Sequence, residues 1–480
     1  MQKEWIALNL MKIEFISSLL NQPPNKTFLI TNNKVISYNE FLELVSKTIS
    51  FLEKSNKKYV FINAEKNEFT LAAYLAAAKL GKISAFIDPL SKHPKKYVEL
   101  SRGDGVYFSN DDYQKVIECK FEPILNSEQV SSNHLSEIIF TTGTTGEPKG
   151  VLISHDTVLK TAMNINKFTD LKKSDIEMHM MPISHSFGLA RVRCCILKGC
   201  TIIFQNGFSN LVSFFNDLDN HKGTVISTVP AGVQFLLKLT KNKISNYKSQ
   251  IRMIELGSSP MTSQAKIELT ELLPFTDICM HYGLTEASRS TFLNFKNDNK
   301  FINSVGKANF GTEILIIDEK GNECLNNHSG EICIAGTNLF SEYIFTKVRP
   351  KYHNGYFKTG DYGYVDDNGY LFFQGRKDDM MNIAGKKVSP IEIEKFINQI
   401  DFVEDSVCLQ NENKVSGLVE IKAFVVLKDN NLKQSWVNEV KKYLKNKIEY
   451  YKIPSTIVNI SSIPKSHNGK ILRHKIKEEK

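Results

Sequence analysis

Between residues 138 and 155 the chain reads I-I-F-T-T-G-T-T-G-E-P-K-G-V-L-I-S-H. Glycines let successive backbone N–H groups turn toward one point and form an anion nest, while threonine hydroxyls and a lysine add donors and charge. Thr141, Thr142, Gly143, Thr144, Thr145 and Lys149 are thus expected to hold a polyphosphate. The apolar runs 138–140 and 151–153 on either side read as strands. A P-loop needs Gly-Lys-Ser/Thr with a helix starting at once. Here Pro148 precedes Lys149, Gly150 follows, and a strand comes next.

This loop resembles the signature loop of the adenylate-forming enzymes, which include acyl-CoA synthetases, peptide-synthetase adenylation domains and firefly luciferase. Further stretches, in order up to Arg473, resemble other motifs of that family. His281-Tyr-Gly-Leu-Thr-Glu286 is similar to its Y-G-x-T-E element. The resemblance implies that His281 and Tyr282 line the nucleotide, Tyr282 offering a flat face to adenine. Gly283 permits close approach of nucleotide and acid, the Thr285 hydroxyl bonds the α-phosphate, and Glu286 gives Mg²⁺ a hard oxygen, with Thr144 as second ligand. The turn Gly257-Ser258-Ser259-Pro260 resembles the one against which the family lays adenine, and ligand crevices of open α/β sheets lie at strand C-terminal ends. Thr359-Gly360-Asp361 matches the family's T-G-D, implying that Asp361 and Arg376 hold the ribose and that Asp378 is the hinge. Met181-Pro-Ile-Ser-His-Ser-Phe-Gly188 resembles P-x-x-H-x-x-G, which makes His185 the divider between acid and nucleotide. Residues 464–473 resemble P-x-x-x-x-G-K-x-x-R, whose lysine, here Lys470, is catalytic together with Glu286 and Thr285. Gly385 is implied in the thiol tunnel. Departures are Thr142 and Asn468 where serine is commoner, and Lys387 where arginine is frequent; none removes a chemical group the reaction needs.

The resemblance implies two half-reactions. A small carboxylic acid and ATP, with Mg²⁺, give an acyl-adenylate and pyrophosphate; a thiol then displaces AMP. The thiol is coenzyme A or the phosphopantetheine of an acyl/aryl carrier protein, and a catalytically silent nucleotide-binding protein is the remote alternative. Amino-acid-activating relatives commonly carry an aspartate near His185, but no acidic residue lies between Met180 and Leu197, which argues against an α-amino acid. Arg289, just past Glu286, is expected to bind a second polar or anionic group on the acid. Arg191 and Arg193 fall about 100° to either side of Val192 on a helix and are expected to reach solvent.

The elements that must position these residues alternate. Residues 38–54 and 71–80 have helical patterns, and 59–63 and 83–88 strand patterns, with further strands at 201–204, 225–229 and 251–256 and helices at 156–166 and 233–240. Such alternation argues a parallel α/β architecture covered on both faces. The expected fold is α/β: a large N-terminal domain of stacked α/β sheets with a β-rich subdomain (1–375), a hinge (376–380), and a small mobile α+β lid (381–480) carrying Lys470. The N-terminal residues, with Lys3, Glu4, Lys12 and Glu14 among apolar ones, read as an amphipathic helix.

Composition is that of a globular protein, 41% hydrophobic and 24% charged, and 480 residues suffice for several cores. No apolar run approaches the ~18 residues of a membrane span, so a cytoplasmic enzyme is expected. Eight scattered cysteines show no zinc spacing. The net charge of +9 is lysine-derived and densest at Lys441, Lys442, Lys445 and Lys447; it suits an acidic carrier or a phosphorylated cofactor, and no nucleic-acid-binding motif accompanies it.

Overall fold

The computed structural model describes residues 10–12, 14–31, 34–124, 129–131, 134–142, 148–208, 210–383, 386–412, 419–429, 435–465 and 471–478. The chain divides into two compact units, Met1–Ile314 with Ile334–Phe357, and Leu315–Cys333 with Lys358–Lys480. The expected mixed α/β architecture is what these residues form.

Among the described residues the larger unit holds two large sheets and a two-stranded ladder. One has six strands, in the order Glu342–Ile344, Pro148–Ser154, Leu135–Thr142, Ile83–Ile87, Tyr59–Asn63 and Gly105–Phe108. The other has nine: Lys307–Ala308, Thr291–Asn294, Asp277–Tyr282, Met253–Leu256, Val225–Thr228, Ile176–His179, Thr201–Phe204, Thr27–Thr31 and Lys34–Ser37. The central strands run parallel and the outer ones of the nine-stranded sheet antiparallel. Ile83–Ile87, Val225–Thr228 and Met253–Leu256 are buried at every position, as parallel strands covered on both faces must be. Among the described residues before position 21, Glu14–Leu20 is the helical segment. Leu10–Lys12, expected in that helix, instead pairs antiparallel with Gln129–Ser131, where the ladder satisfies its backbone groups.

The apolar core draws on both sheets and on helices Glu68–Lys79 and Ser186–Lys198, which are buried nearly all round. Ser186–Lys198 is the central helix. Its two arginines do point to opposite sides, but neither reaches solvent: Arg191 is 0% and Arg193 4% exposed. Arg191 pairs with Glu177 (Nη2–Oε2 2.6 Å) and Glu255 (Nη1–Oε2 3.1 Å) of the nine-stranded sheet. Arg193 pairs with Glu137 of the six-stranded sheet and donates to the Tyr74 hydroxyl at 3.1 Å, which itself donates to Glu137 Oε2 at 3.0 Å. The expectation of solvent exposure fails because each flank of the helix meets a sheet that presents a carboxylate. Buried charges persist only when paired in this way.

The second unit contains the antiparallel pair Asp361↔Arg376 to Val365↔Leu371. It also holds a three-stranded sheet, Val403–Glu412, Val419–Leu427 and Thr456–Asn459. Helices Pro390–Ile397 and Trp436–Lys445 pack on that sheet through Ile393, Ile397, Val440 and Leu444. Ser389 caps the first of them, accepting from Glu392 N, and Pro390 stands at the position where a helix has no N–H to lose.

Candidate active site

Strands Leu135–Thr142 and Pro148–Ser154 flank the Thr/Gly loop, and their register sets Thr141 opposite Lys149. Gly150 admits no side chain: a Cβ there would stand 2.8 Å from Ile138 Cγ2 and from Ile344 Cγ2. That close packing brings Tyr343 alongside Val151. Lys149 Nζ lies 3.9 Å above the Tyr343 ring and 3.0 Å from Glu286 Oε1, and the Tyr343 hydroxyl donates to the same oxygen at 2.9 Å. Both contacts fall on Oε1, so neither engages the second carboxylate oxygen. Thr141 Oγ1 is buried with no hydrogen-bond partner among the described residues. A hard, mostly buried carboxylate beside a lysine and an orphaned hydroxyl fits the expected Mg²⁺–phosphate group. Gly143, Thr144, Thr145, the Thr142 side chain, Gly385 and Lys470 lie outside the described residues.

The strand ends at Leu256 and Tyr282 are neighbours in the nine-stranded sheet. Beyond Leu256, Gly257 is buried, Ser258 is exposed with a left-handed φ of 72°, and Ser259 is half-buried. His281 was expected to face the nucleotide; the structure corrects this. The residue is 8% exposed and its ring packs beneath the turn, where a Cβ on Gly257 would lie 2.1 Å from His281 Cε1. His281 Nδ1 stands 2.9 Å from Glu255 Oε1, in close polar contact though off the hydrogen-bond direction. Burial, and next the Arg289 charge, hold this imidazole below its ordinary pKa. Burial alone would raise the Glu255 carboxyl, but Arg289, His281 and Arg191 outweigh it and hold it well below the carboxylate range. Tyr282 and Thr285 are half-buried and Gly283 exposed.

Arg289 also needs correction. It is 2% exposed, and its Nε donates to Glu255 Oε1 at 3.2 Å, Nη2 to the Phe187 carbonyl at 3.0 Å, and Nη1 to the Ser186 carbonyl at 3.1 Å and Ser288 Oγ at 3.2 Å. A guanidinium committed to four acceptors is structural and does not offer itself to a second anionic group on the acid. Two carboxylates, Glu177 and Glu255, thus balance two guanidiniums, Arg191 and Arg289. Ser227 Oγ completes the set by donating to Glu177.

His185 is the half-buried residue preceding the central helix, and its N–H donates to the Pro182 carbonyl at 3.3 Å. Gly188 makes that turn possible, since a Cβ there would lie 2.2 Å from the same oxygen.

In the second unit, Asp361 and Arg376 meet as cross-strand partners, Oδ1 accepting from Nη1 at 2.6 Å. Asp361 N donates to Thr359 Oγ1 at 3.0 Å, and Gly360 has φ 71°. Asp378 is exposed in the short turn Lys377–Asp379, beside Lys377, which bonds Glu331 at 2.6 Å. The two ends of segment 466–470 are pinned together, by the Lys465↔Ile471 bridge and a Leu472 N–Pro464 O bond of 2.9 Å. Arg473 then anchors the tail bidentately on Glu394 at 2.6 and 2.9 Å.

Tyr343, Phe187, Glu177 and Glu255 were not singled out from sequence. A signal existed for the acids: Glu137, Glu177 and Glu255 each sit inside a short apolar strand run. A carboxylate in a strand buried on both faces demands a cation. Tyr343 carries no such local mark.

Residues 92–344 match the family described as AMP-binding enzyme, and residues 392–470 match the AMP-binding enzyme C-terminal domain. The chain is 29% identical over 422 residues to the putative acyl-CoA synthetase YngI of Bacillus subtilis, spanning 85% of this chain and 75% of that protein. It is 25% identical over 472 residues to the 2-succinylbenzoate–CoA ligase of Listeria monocytogenes, spanning 95% and 97% of the two. In fold it is similar to the O-succinylbenzoate coenzyme A synthetase of Bacillus subtilis in complex with ATP and magnesium, with TM-score 0.84 and 23% identity over 98% of this chain and all of that one.

Proposed function

Because the chain belongs to the AMP-binding enzyme family, we propose that it is an AMP-forming ligase joining a small carboxylic acid to coenzyme A, with the residue roles that follow. In the first step an oxygen of the acid's carboxylate bonds to the α-phosphorus of ATP as the bond to pyrophosphate breaks. In the second, the thiol sulfur bonds to the acyl carbon and AMP leaves. Lys149 and the threonines from Thr141 to Thr145 hold the β- and γ-phosphates, and Thr285 the α-phosphate. Gly257–Ser259 and Tyr282 receive adenine, Asp361 and Arg376 the ribose. His185 and Gly283 border the acid, and Lys470 bridges carboxylate and α-phosphate. Mg²⁺ at Glu286, with Thr144, supplies positive charge to the phosphate oxygens.

The observation that carries this reading is the Lys149–Glu286–Tyr343 contact. A phosphate-binding cation and a metal-binding anion neutralise each other until the ligand that needs both arrives. The chain's own residues then act by position and fixed charge at the oxygens where charge develops, which is where such donors are worth most.

Loading onto a carrier protein is the second reading, favoured by exposed Lys442, Lys445 and Lys447 on and beside helix Trp436–Lys445. Residues 376–380 as pivot and 381–480 as lid belong to the same proposal. Among the described residues no helix is long and apolar enough to cross a membrane.

The test is pyrophosphate release across a panel of carboxylic acids without thiol, then product mass with coenzyme A against a phosphopantetheinylated carrier. Release with no acid in the panel would refute the ligase reading, and a product with carrier alone would select the second reading.

A further inference from the structure

We propose that Arg289 is a positioning residue coupling the nucleotide and acid halves of the site, so that occupation of either half raises affinity for the other. The proposal rests on the two-substrate reading above.

Three side chains interlock the halves. Phe187, two residues after His185, meets the His281 ring edge-on at 4.7 Å and 88°, and the Arg289 guanidinium lies over the same Phe187 ring at 4.7 Å. His281 in turn supports Gly257, with no room for even one carbon between them. The adenine turn therefore rests on His281, His281 on Phe187, and Phe187 belongs to the helix that starts at His185.

Arg289 fastens this stack from both ends. Its side chain donates to the Ser186 and Phe187 carbonyls, in the first turn of the central helix. Helical carbonyls there already accept from residues four further on, and each oxygen has a second lone pair free for a side-chain donor. At its other end, the Arg289 backbone is left-handed, with φ 52°. Its amide nitrogen would lie 2.6 Å from a Cβ on Gly283, so the segment between Gly283 and Arg289 is closed tightly on itself. Tyr282, Thr285 and Glu286, expected at the nucleotide, are thereby tied to the helix start that carries His185.

Only an arginine meets the geometry. One planar fork reaches two carbonyls and, through Nε, Glu255; a lysine keeps the charge but presents donors from a single atom. Glu255 must remain ionised beneath it, and the Arg191–Glu177 pair keeps the buried group neutral overall. Movement of the acid-side helix start is then transmitted to the adenine turn through packed, directional contacts and not through water.

The coupling is measured with the parent, Arg289→Lys and the charge-balanced pair Arg289→Met/Glu255→Gln, all checked for folding by circular dichroism. ATP affinity in Mg²⁺ is read by calorimetry, and KM for the best acid of the panel is read from pyrophosphate release at low and at saturating ATP. In the parent, saturating ATP should lower the KM for acid at least about fivefold, within the usual range of coupling between sites. In Arg289→Lys and in the pair that ratio should fall to about 1, while ATP affinity without acid stays within about threefold of the parent. A merely structural arginine would weaken both ligands together and leave the ratio unchanged. Parental coupling in Arg289→Lys, or a parent without coupling, overturns the proposal while the ligase reading stands. A parent that releases pyrophosphate with no acid overturns the ligase reading, and this proposal with it.

Discussion

Replacing Arg193 by methionine should unfold the protein more easily at neutral pH than at mild acidity. Glu137 is fully buried, and in the parent its partners are Arg193 and the Tyr74 hydroxyl. Burial already pushes its carboxyl above the ordinary value, against the pull of Arg193. Without Arg193 only the Tyr74 bond opposes burial, so the folded-state pKa rises further. An uncompensated buried carboxylate costs about 3–5 kcal/mol, and buried glutamates reach pKa values of ~8–9. The folded variant then holds a proton that the unfolded chain releases near ~4.3. A folded pKa raised above the unfolded one means stability that falls as pH rises between the two values, by ~1.4 kcal/mol per unit. Between pH 5 and 7 the variant should therefore lose up to about 2.5 kcal/mol, more than the parent loses over the same range. Arg193→Met/Glu137→Gln removes both charges and should stay within ~1 kcal/mol of the parent at both pH values. Glu137→Gln alone is the control, because the stranded guanidinium cannot shed its proton and its cost persists at any pH in this range. Urea unfolding followed by far-ultraviolet circular dichroism measures all four proteins. Equal destabilisation of single and double variants at pH 7, or a gap between them that ignores pH, would refute the reasoning.

Glu286→Gln should cut pyrophosphate release by roughly 10²–10³, with the loss partly offset by raised Mg²⁺, because a fixed charge at the phosphates is lost; a magnesium titration of the rate checks it. Lys470→Ala should lower adenylation by roughly 10²–10³ yet leave thioester formation from synthetic acyl-adenylate nearly intact. Asp378→Pro, which fixes one backbone torsion, should do the reverse, and the two half-reactions assayed separately in both variants decide. Gly150→Ala should cost about 1–3 kcal/mol, since its Cβ would press on Ile138 and Ile344 at 2.8 Å; a melting curve with and without ATP would show whether the strain also reaches Lys149.

What was legible in the sequence was whatever repeats locally. The strands at 59–63 and 201–204 lie where periodicity sets them, and helix Tyr38–Leu52 ends two residues short of its pattern. Lys149 and Glu286, and likewise Asp361 and Arg376, were named from motif order, and each pair proves to be in contact. What was not legible depends on what lies opposite. Helical geometry aimed Arg191 and Arg193 correctly, yet only the presence of a sheet on each flank decides between solvent and ion pair. Arg289 follows the same logic: its neighbours in sequence suggested a ligand, while Glu255 and two carbonyls of a distant helix consume its donors. Tyr343 reaches Glu286 by strand pairing with residues 150–152, information that no local pattern contains.

Each of the two large sheets of the larger unit pairs strands that lie far apart in the chain. Thr27–Thr31 pairs with Thr201–Phe204, and Glu342–Ile344 closes the edge formed by Pro148–Ser154. During synthesis the early hairpin must therefore wait for residue 204 to leave the ribosome, a delay on the order of ten seconds or more at ordinary elongation rates. Throughout that interval its apolar strand offers an unpaired edge to any other chain. The phosphate loop waits longer, because the strand beside Lys149 stays uncovered until residue 344 is made. No nascent piece short of residue 308 can complete the nine-stranded sheet, and none short of residue 344 the six-stranded one. The protein's exposure to misassembly is thus set on the ribosome, by the order in which its strands are delivered.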